Sequence, residues 1–121
     1  MRGGITFLKT TNLADMTHFY VDDIGCTVWL RQPGVNVLRF GNQLIGLHET
    51  GAEADTGVLL TFFYPTRGEV DAMYAALSHL ATCEPRYNEK YHIYQFFGRD
   101  PEGRGLEFQW FDHELPTVGD M

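Results

Sequence analysis

Ile5-Thr6-Phe7-Leu8-Lys9-Thr10, a strand-like run, leads through Thr11 into Asn12-Leu13-Ala14-Asp15-Met16-Thr17-His18-Phe19-Tyr20. The same succession returns as Val58-Leu59-Leu60-Thr61-Phe62-Phe63-Tyr64 followed by Thr66-Arg67-Gly68-Glu69-Val70. Asn12 predicts a helix start, because its side-chain oxygen can accept from the orphaned N–H groups of a first turn, and Asp15 is placed to reach back to the cap. Leu13, Met16 and Tyr20 fall at helical spacing on one face, and Gly25 supplies a stop. Thr66 and Glu69 repeat the device as a T-x-x-E capping box, with Val70, Met73 and Leu77 behind it. The two helices begin 54 residues apart, counted from Asn12 to Thr66.

Working outward, each helix is followed by three short β-rich segments. After the first come residues 26–31, 35–40 and 43–48; after the second come a short piece at 83–87, then 91–97 and 105–111. Turn chemistry divides them at Gln32-Pro33-Gly34, Gly41-Asn42 and Asp100-Pro101-Glu102-Gly103. Residues 49–56 lack periodicity and read as the connection between halves. Strand, helix and three strands, written twice, is an internal repeat. The expected fold class is therefore α+β: two tandem βαβββ modules, at about 4–49 and about 57–112, forming a curved mixed sheet around a cavity within one domain spanning 1–121.

Composition narrows the function classes. The chain has 121 residues, enough to bury a working core, and 44% of them are hydrophobic against 21% charged. Its longest apolar runs, such as 58–63, fall far short of the ~20 residues a membrane helix needs. Met1-Arg2-Gly3-Gly4 runs straight into the first strand with no apolar h-region, and no membrane partner is expected. A net charge of −7 with no Lys/Arg cluster argues against nucleic acid, whose binding depends on neutralising phosphates. Cys26 and Cys83 have no CxxC spacing and read as free thiols of a cytoplasmic protein.

Phe19-Tyr20-Val21-Asp22-Asp23-Ile24-Gly25 resembles the FYxDxLG helix end of the vicinal oxygen chelate superfamily, and Asp100-Pro101-Glu102-Gly103-Arg104-Gly105-Leu106-Glu107-Phe108 resembles its DPxGxxxE final hairpin. That superfamily includes glyoxalase I, fosfomycin and bleomycin resistance proteins and extradiol dioxygenases. With the repeat, the likeness covers nearly the whole chain. It implies a concave sheet holding a small-molecule ligand, in a homodimer.

In metal-dependent members, ligands project from the first and last strands of each module and orient a substrate's oxygens. Such a centre needs three or four His, Glu or similar side chains. Here the first-strand positions fall on Ile5 and Leu59, where the superfamily often has His. The position closing module one falls near Gly46, and only Glu107, closing module two, matches a ligand. A shift by one residue brings Thr6, Val58 or Leu60 into the slots, which does not restore a metal set. No metal and no cofactor is therefore expected.

Glu107 alternates with Leu106 and Phe108, so it should face the cavity while they face the helices. A carboxylate against an apolar wall with no cation beside it suits proton transfer, which makes Glu107 the candidate catalytic group. The competing reading is a hydrogen-bonded structural Glu. His48 shares the face of Gly46 and holds in module one the place of Gln109 in module two; it is either a cavity residue or a solvent-facing histidine at a strand end. Gln95, Phe97, Phe7, Thr61 and Phe63 complete the candidate ligand-binding set by alternation. His92 is assigned to the opposite face with Tyr94 and Phe96. These features point to a protein that binds, and in an enzyme would transform, a small and partly apolar molecule. The alternative is a metal-dependent lyase, isomerase or dioxygenase with non-standard ligands such as His48 and Glu107.

Overall fold

Two capped helices, each flanked by one strand before and three after, organise the computed structural model, which describes residues 2–118. The chain divides into two compact units, one running to Asp55 and the other covering Thr56–Thr117. In the first unit β1 (Thr6–Thr10), α1 (Leu13–His18), β2 (Thr27–Gln32), β3 (Val35–Phe40) and β4 (Gln43–Glu49) follow in order. In the second, β5 (Leu59–Phe63), α2 (Arg67–Leu77), β6 (Arg86–Asn88), β7 (Ile93–Arg99) and β8 (Gly105–Phe111) repeat it. The sheets have matching strand orders, β1-β4-β3-β2 and β5-β8-β7-β6. In each, the first and last strands of the unit pair in parallel and the other neighbours pair antiparallel. Two four-stranded mixed sheets, both open, and a few helices make an α+β fold built from two βαβββ modules.

The helix starts follow their capping residues. Asn12 Oδ1 accepts from the Asp15 N–H at 3.2 Å, and Glu49 of β4 accepts from the Leu13 N–H at 3.2 Å. Asp15 reaches the Asn12 side-chain amide rather than its backbone N–H, as expected of a fuller box. At α2 the box is complete: Thr66 Oγ1 accepts from the Glu69 N–H, and Glu69 Oε2 accepts from the Thr66 N–H.

One face of each sheet carries the core. In the first unit Leu8, Leu38, Ile45 and Leu47 are buried with Met16, Phe19, Tyr20 and Ile24 of the helical segment. Asn36, also buried, donates to the Thr17 hydroxyl at 3.0 Å and so spends its amide on the helix. In the second unit Leu60, Phe62, Phe96, Leu106 and Phe108 are buried with Val70 and Leu77 of α2. Phe108 stacks between Phe62 and Phe96, with ring centroids 5.7 and 4.7 Å away. Tyr94 donates to Asp71 at 2.5 Å while the Arg67 guanidinium sits 4.0 Å above its ring, tying α2 to β7.

The structure departs from the expected elements in four places. The helix after Asn12 is α-helical only to His18; Phe19–Ile24 is a π-helical segment that ends at Gly25 in the left-handed region, φ 100°. Cys26 lies before β2 rather than in it, and β2 carries a register shift between Val28 and Leu30 that interrupts its alternation. Cys83 lies outside β6, which begins at Arg86. His92 sits in a turn rather than a strand, at φ 53°, a left-handed conformation that non-glycine residues seldom adopt. A buried guanidinium also went unanticipated. Arg104, wholly buried, meets Asp100 at 2.9 Å and Glu102 at 3.0 Å inside the turn read as Asp-Pro-Glu-Gly.

Candidate functional site

The other face of each sheet is only partly covered, with Val37, Leu44, Ile93 and Gln109 buried on it, and every candidate ligand-binding residue lies on one of these two partly open faces. Partners in register share a face, so pairing sorts them. In the second unit Thr61 pairs with Glu107, Phe63 with Gln109, Gln95 with Gln109 and Phe97 with Glu107. The Thr61 hydroxyl donates to Glu107 Oε1 at 2.8 Å, and both side chains are half-buried. Leu59 and Phe63 on the same face are exposed, while Gln109 is buried. The result is a polar centre, Thr61–Glu107, with apolar neighbours on both sides. Leu106 and Phe108 face the helix.

In the first unit Phe7 pairs with Gly46, and His48 pairs with Lys9 and Val35. Phe7 and His48 are exposed on this open face. The Phe7 ring fills the space above Gly46, since a Cβ there would stand 2.5 Å from Phe7 Cδ1. Matching registers make Phe7 and Gly46 the counterparts of Thr61 and Glu107, and His48 the counterpart of Gln109.

Two residues of the second unit's open face escaped the sequence reading. Cys83 and Arg86 line a cavity of about 370 Å3 with Tyr87, Asn88, Gln95 and Phe97. The alternation Arg86-Tyr87-Asn88 was the available signal, but the segment is only three residues long in the structure. The Tyr87 hydroxyl donates to Asp112 at 2.9 Å and lies 3.1 Å from His92 Nδ1. Loss of solvent, then the Asp112 carboxylate, push the Tyr87 hydroxyl above its ordinary range. A second recess, of about 640 Å3, lies beside α1 in the first unit, between His18, Asp22, Arg31 and Asn36.

Solved structures with this architecture are numerous. One is a glyoxalase/bleomycin resistance protein/dioxygenase family enzyme from Burkholderia phytofirmans PsJN, 20% identical, covering 91% of this chain and 98% of that one at a TM-score of 0.78. The chain has the vicinal oxygen chelate fold. An integron cassette protein from the mobile metagenome of a Halifax Harbour sewage outfall is 21% identical, over 90% and 97% of the two chains, with a TM-score of 0.77. Lactoylglutathione lyase from Agrobacterium tumefaciens is 21% identical over 88% and 90%, with a TM-score of 0.71. No protein-family profile and no curated protein sequence matches the chain. Likeness at this identity speaks for the fold; chemistry must be argued from the side chains.

The positions at which the resemblance would place metal ligands offer few donors in this chain. The Ile5 and Leu59 side chains offer no lone pair, Gly46 has no side chain, and the Phe7 ring covers it. Glu107 alone remains, engaged by Thr61. Among the described residues no three His, Cys, Asp or Glu side chains come together as a metal set. The residues do not fit the group. Among the described residues, no helix is long and apolar enough to cross a membrane.

Proposed function

We propose that the chain binds a small, partly apolar molecule on the open sheet faces without a metal held by first-strand side chains. The observation that carries this reading is the Thr61–Glu107 hydrogen bond, set half-buried among Leu59, Phe63 and Phe97. A preorganised polar centre on an apolar surface is the usual design of a small-molecule site. Glu107 is the group placed to take a proton from the ligand should it be transformed. Gln95, Phe97, Gln109, Thr61 and Phe63 contact the ligand on this face, and Phe7 and His48 are assigned the same role on the first unit's face.

Supporting features extend the reading to context. Open sheets leave unpaired edges, which proteins cover by pairing, so the assembly proposed is a homodimer of single-domain chains. Free Cys26 and Cys83 suit a reducing, cytoplasmic setting. Light scattering should give twice the 13.8 kDa chain mass.

A thermal-shift screen against metabolites and antibiotics tests the site. A true ligand raises the melting temperature of the parent chain by several degrees, and that of Glu107→Gln by much less. Equal shifts in both chains, or a ligand located away from Glu107, would sink the proposal.

A further inference from the structure

β6 is an edge strand of the second sheet, and its Arg86 lies directly opposite Gln95 of β7 in an antiparallel pair. Side chains so paired project from one face with Cβ atoms about 5 Å apart. Both line the cavity that also takes in Cys83 and Phe97. The exposed Arg86 guanidinium has no hydrogen-bond or ion-pair partner among the described residues. Gln95 Oε1 is shielded from solvent and has no partner either. Native proteins seldom leave a buried acceptor without a donor. The terminal amide of Gln turns about a soft torsion, so this oxygen can swing into the cavity its residue already lines.

The two groups ask for complementary chemistry. A planar guanidinium fork matches a carboxylate, and a carbonyl oxygen matches an N–H or O–H. We propose that this cavity is a subsite for a small carboxylate carrying a hydrogen-bond donor on the adjacent carbon. Arg86 holds the carboxylate, Gln95 accepts from the donor, and Phe97 walls the remainder. This rests on the reading of the second unit's open face as the binding face and names the ligand class. Gln95 and Phe97 pair in register with Gln109 and Glu107, so a ligand seated here lies beside the Thr61–Glu107 centre.

Cys83 makes the test direct, because it lines the same cavity. Iodoacetate and iodoacetamide both alkylate a thiolate: sulfur bonds to the CH2 carbon, iodide leaves, and the thiol proton goes to buffer. They share the CH2–I group, one carrying a carboxylate and the other a neutral carboxamide, and referring each rate to a free thiol removes their difference in intrinsic reactivity. Cys26 serves as a silent control, being 3% exposed with its thiol pushed up to about 12 by burial. In the intact chain, mass spectrometry should find the iodoacetate-to-iodoacetamide rate ratio at Cys83 about tenfold above that of N-acetylcysteinamide, an uncharged reference thiol, the scale of one charge-assisted hydrogen bond. Arg86→Gln should return the ratio to the free-thiol value, and Arg86→Lys should keep most of it. N-acetylglycine should shield Cys83 from iodoacetamide where levulinate, which has CH2 in place of N–H, does not. Gln95→Met should abolish that preference, with circular dichroism and the iodoacetamide rate confirming a native cavity. A ratio matching N-acetylcysteinamide, a ratio indifferent to Arg86→Gln, or equal shielding by the two carboxylates overturns the proposal. The ratio should persist in Glu107→Gln, so failure of this subsite is distinguishable from failure of the Glu107 reading.

Discussion

The Phe7 ring covers Gly46 so closely that a Cβ at Gly46 would stand 2.5 Å from Cδ1 and 2.6 Å from Cε1 of that ring. Gly46→Ala should therefore cost about 1–3 kcal/mol by overpacking, at the low end if the half-exposed ring swings outward. In a Phe7→Ala background the same change should cost clearly less, because only Ile5 Cγ2, 3.2 Å away, then crowds the new Cβ. Urea unfolding of the four chains in that cycle measures the coupling, and simple additivity would contradict the contact.

Glu107 and Phe108 are neighbours in sequence that face opposite ways. Phe108→Ala should cost about 3–5 kcal/mol, since it empties a stack between Phe62 and Phe96. Glu107→Gln keeps the shape and a hydrogen bond to Thr61, so its unfolding midpoint should stay close to that of the parent. The reverse ranking in denaturant titrations would mean that the two faces are exchanged.

Of the two carboxylates that meet Arg104 in the last hairpin, Asp100 should prove the more sensitive. The Arg104 guanidinium is fully buried and is met by Asp100, itself fully buried, and by Glu102 at the rim. Asp100→Ala removes the fully buried partner of that cation and should cost about 3–5 kcal/mol. Asp100 also accepts from the N–H groups of Glu102 and Arg104, so the turn loosens with it. Glu102→Ala, at a partly exposed site, should cost clearly less. Thermal melts of the two variants compare them directly.

Alkaline pH should weaken the fold. Burial raises the Cys26 thiol from 9.0 to about 12, so the folded chain keeps a proton that the unfolded chain releases. That contribution is intact below pH 9 and is lost as pH climbs toward 12. Tyr87 and Tyr94 add in the same direction from pH 10 upward, raised first by burial and then by Asp112 and Asp71. Urea midpoints should fall with pH across this window, and less steeply in Cys26→Ala. A flat profile would show that these groups titrate alike in both states.

How much of this was legible in the sequence depended on the range of the interaction. The Thr66–Glu69 box and the alternation around Glu107 are local, and they located α2 and the two faces of β8. The Phe7–Gly46 contact joins residues far apart in the chain, and no periodicity announces it. The burial of Arg104 was not legible, because the residue types of the Asp100–Gly103 run announce a turn but not which neighbouring side chain folds under it. Cys83 and Arg86 were missed because the edge strand that presents Arg86 is too short to alternate visibly. His92 was misassigned because its left-handed backbone breaks the strand pattern that its neighbours suggest.

The π-helical segment at Phe19–Ile24 has a bearing on chain length. A π-turn spans i to i+5 where an α-turn spans i to i+4, so it holds one residue more than the helix requires. Asp22 and Asp23 lie in that slack, both exposed, while Phe19, Tyr20 and Ile24 are anchored in the core. Removing one aspartate would let the segment rewind as α-helix, with Gly25 still available to terminate it. The backbone thus carries a place where the chain could lose a residue and keep its core anchors, a length tolerance that the tightly paired strands on either side do not share.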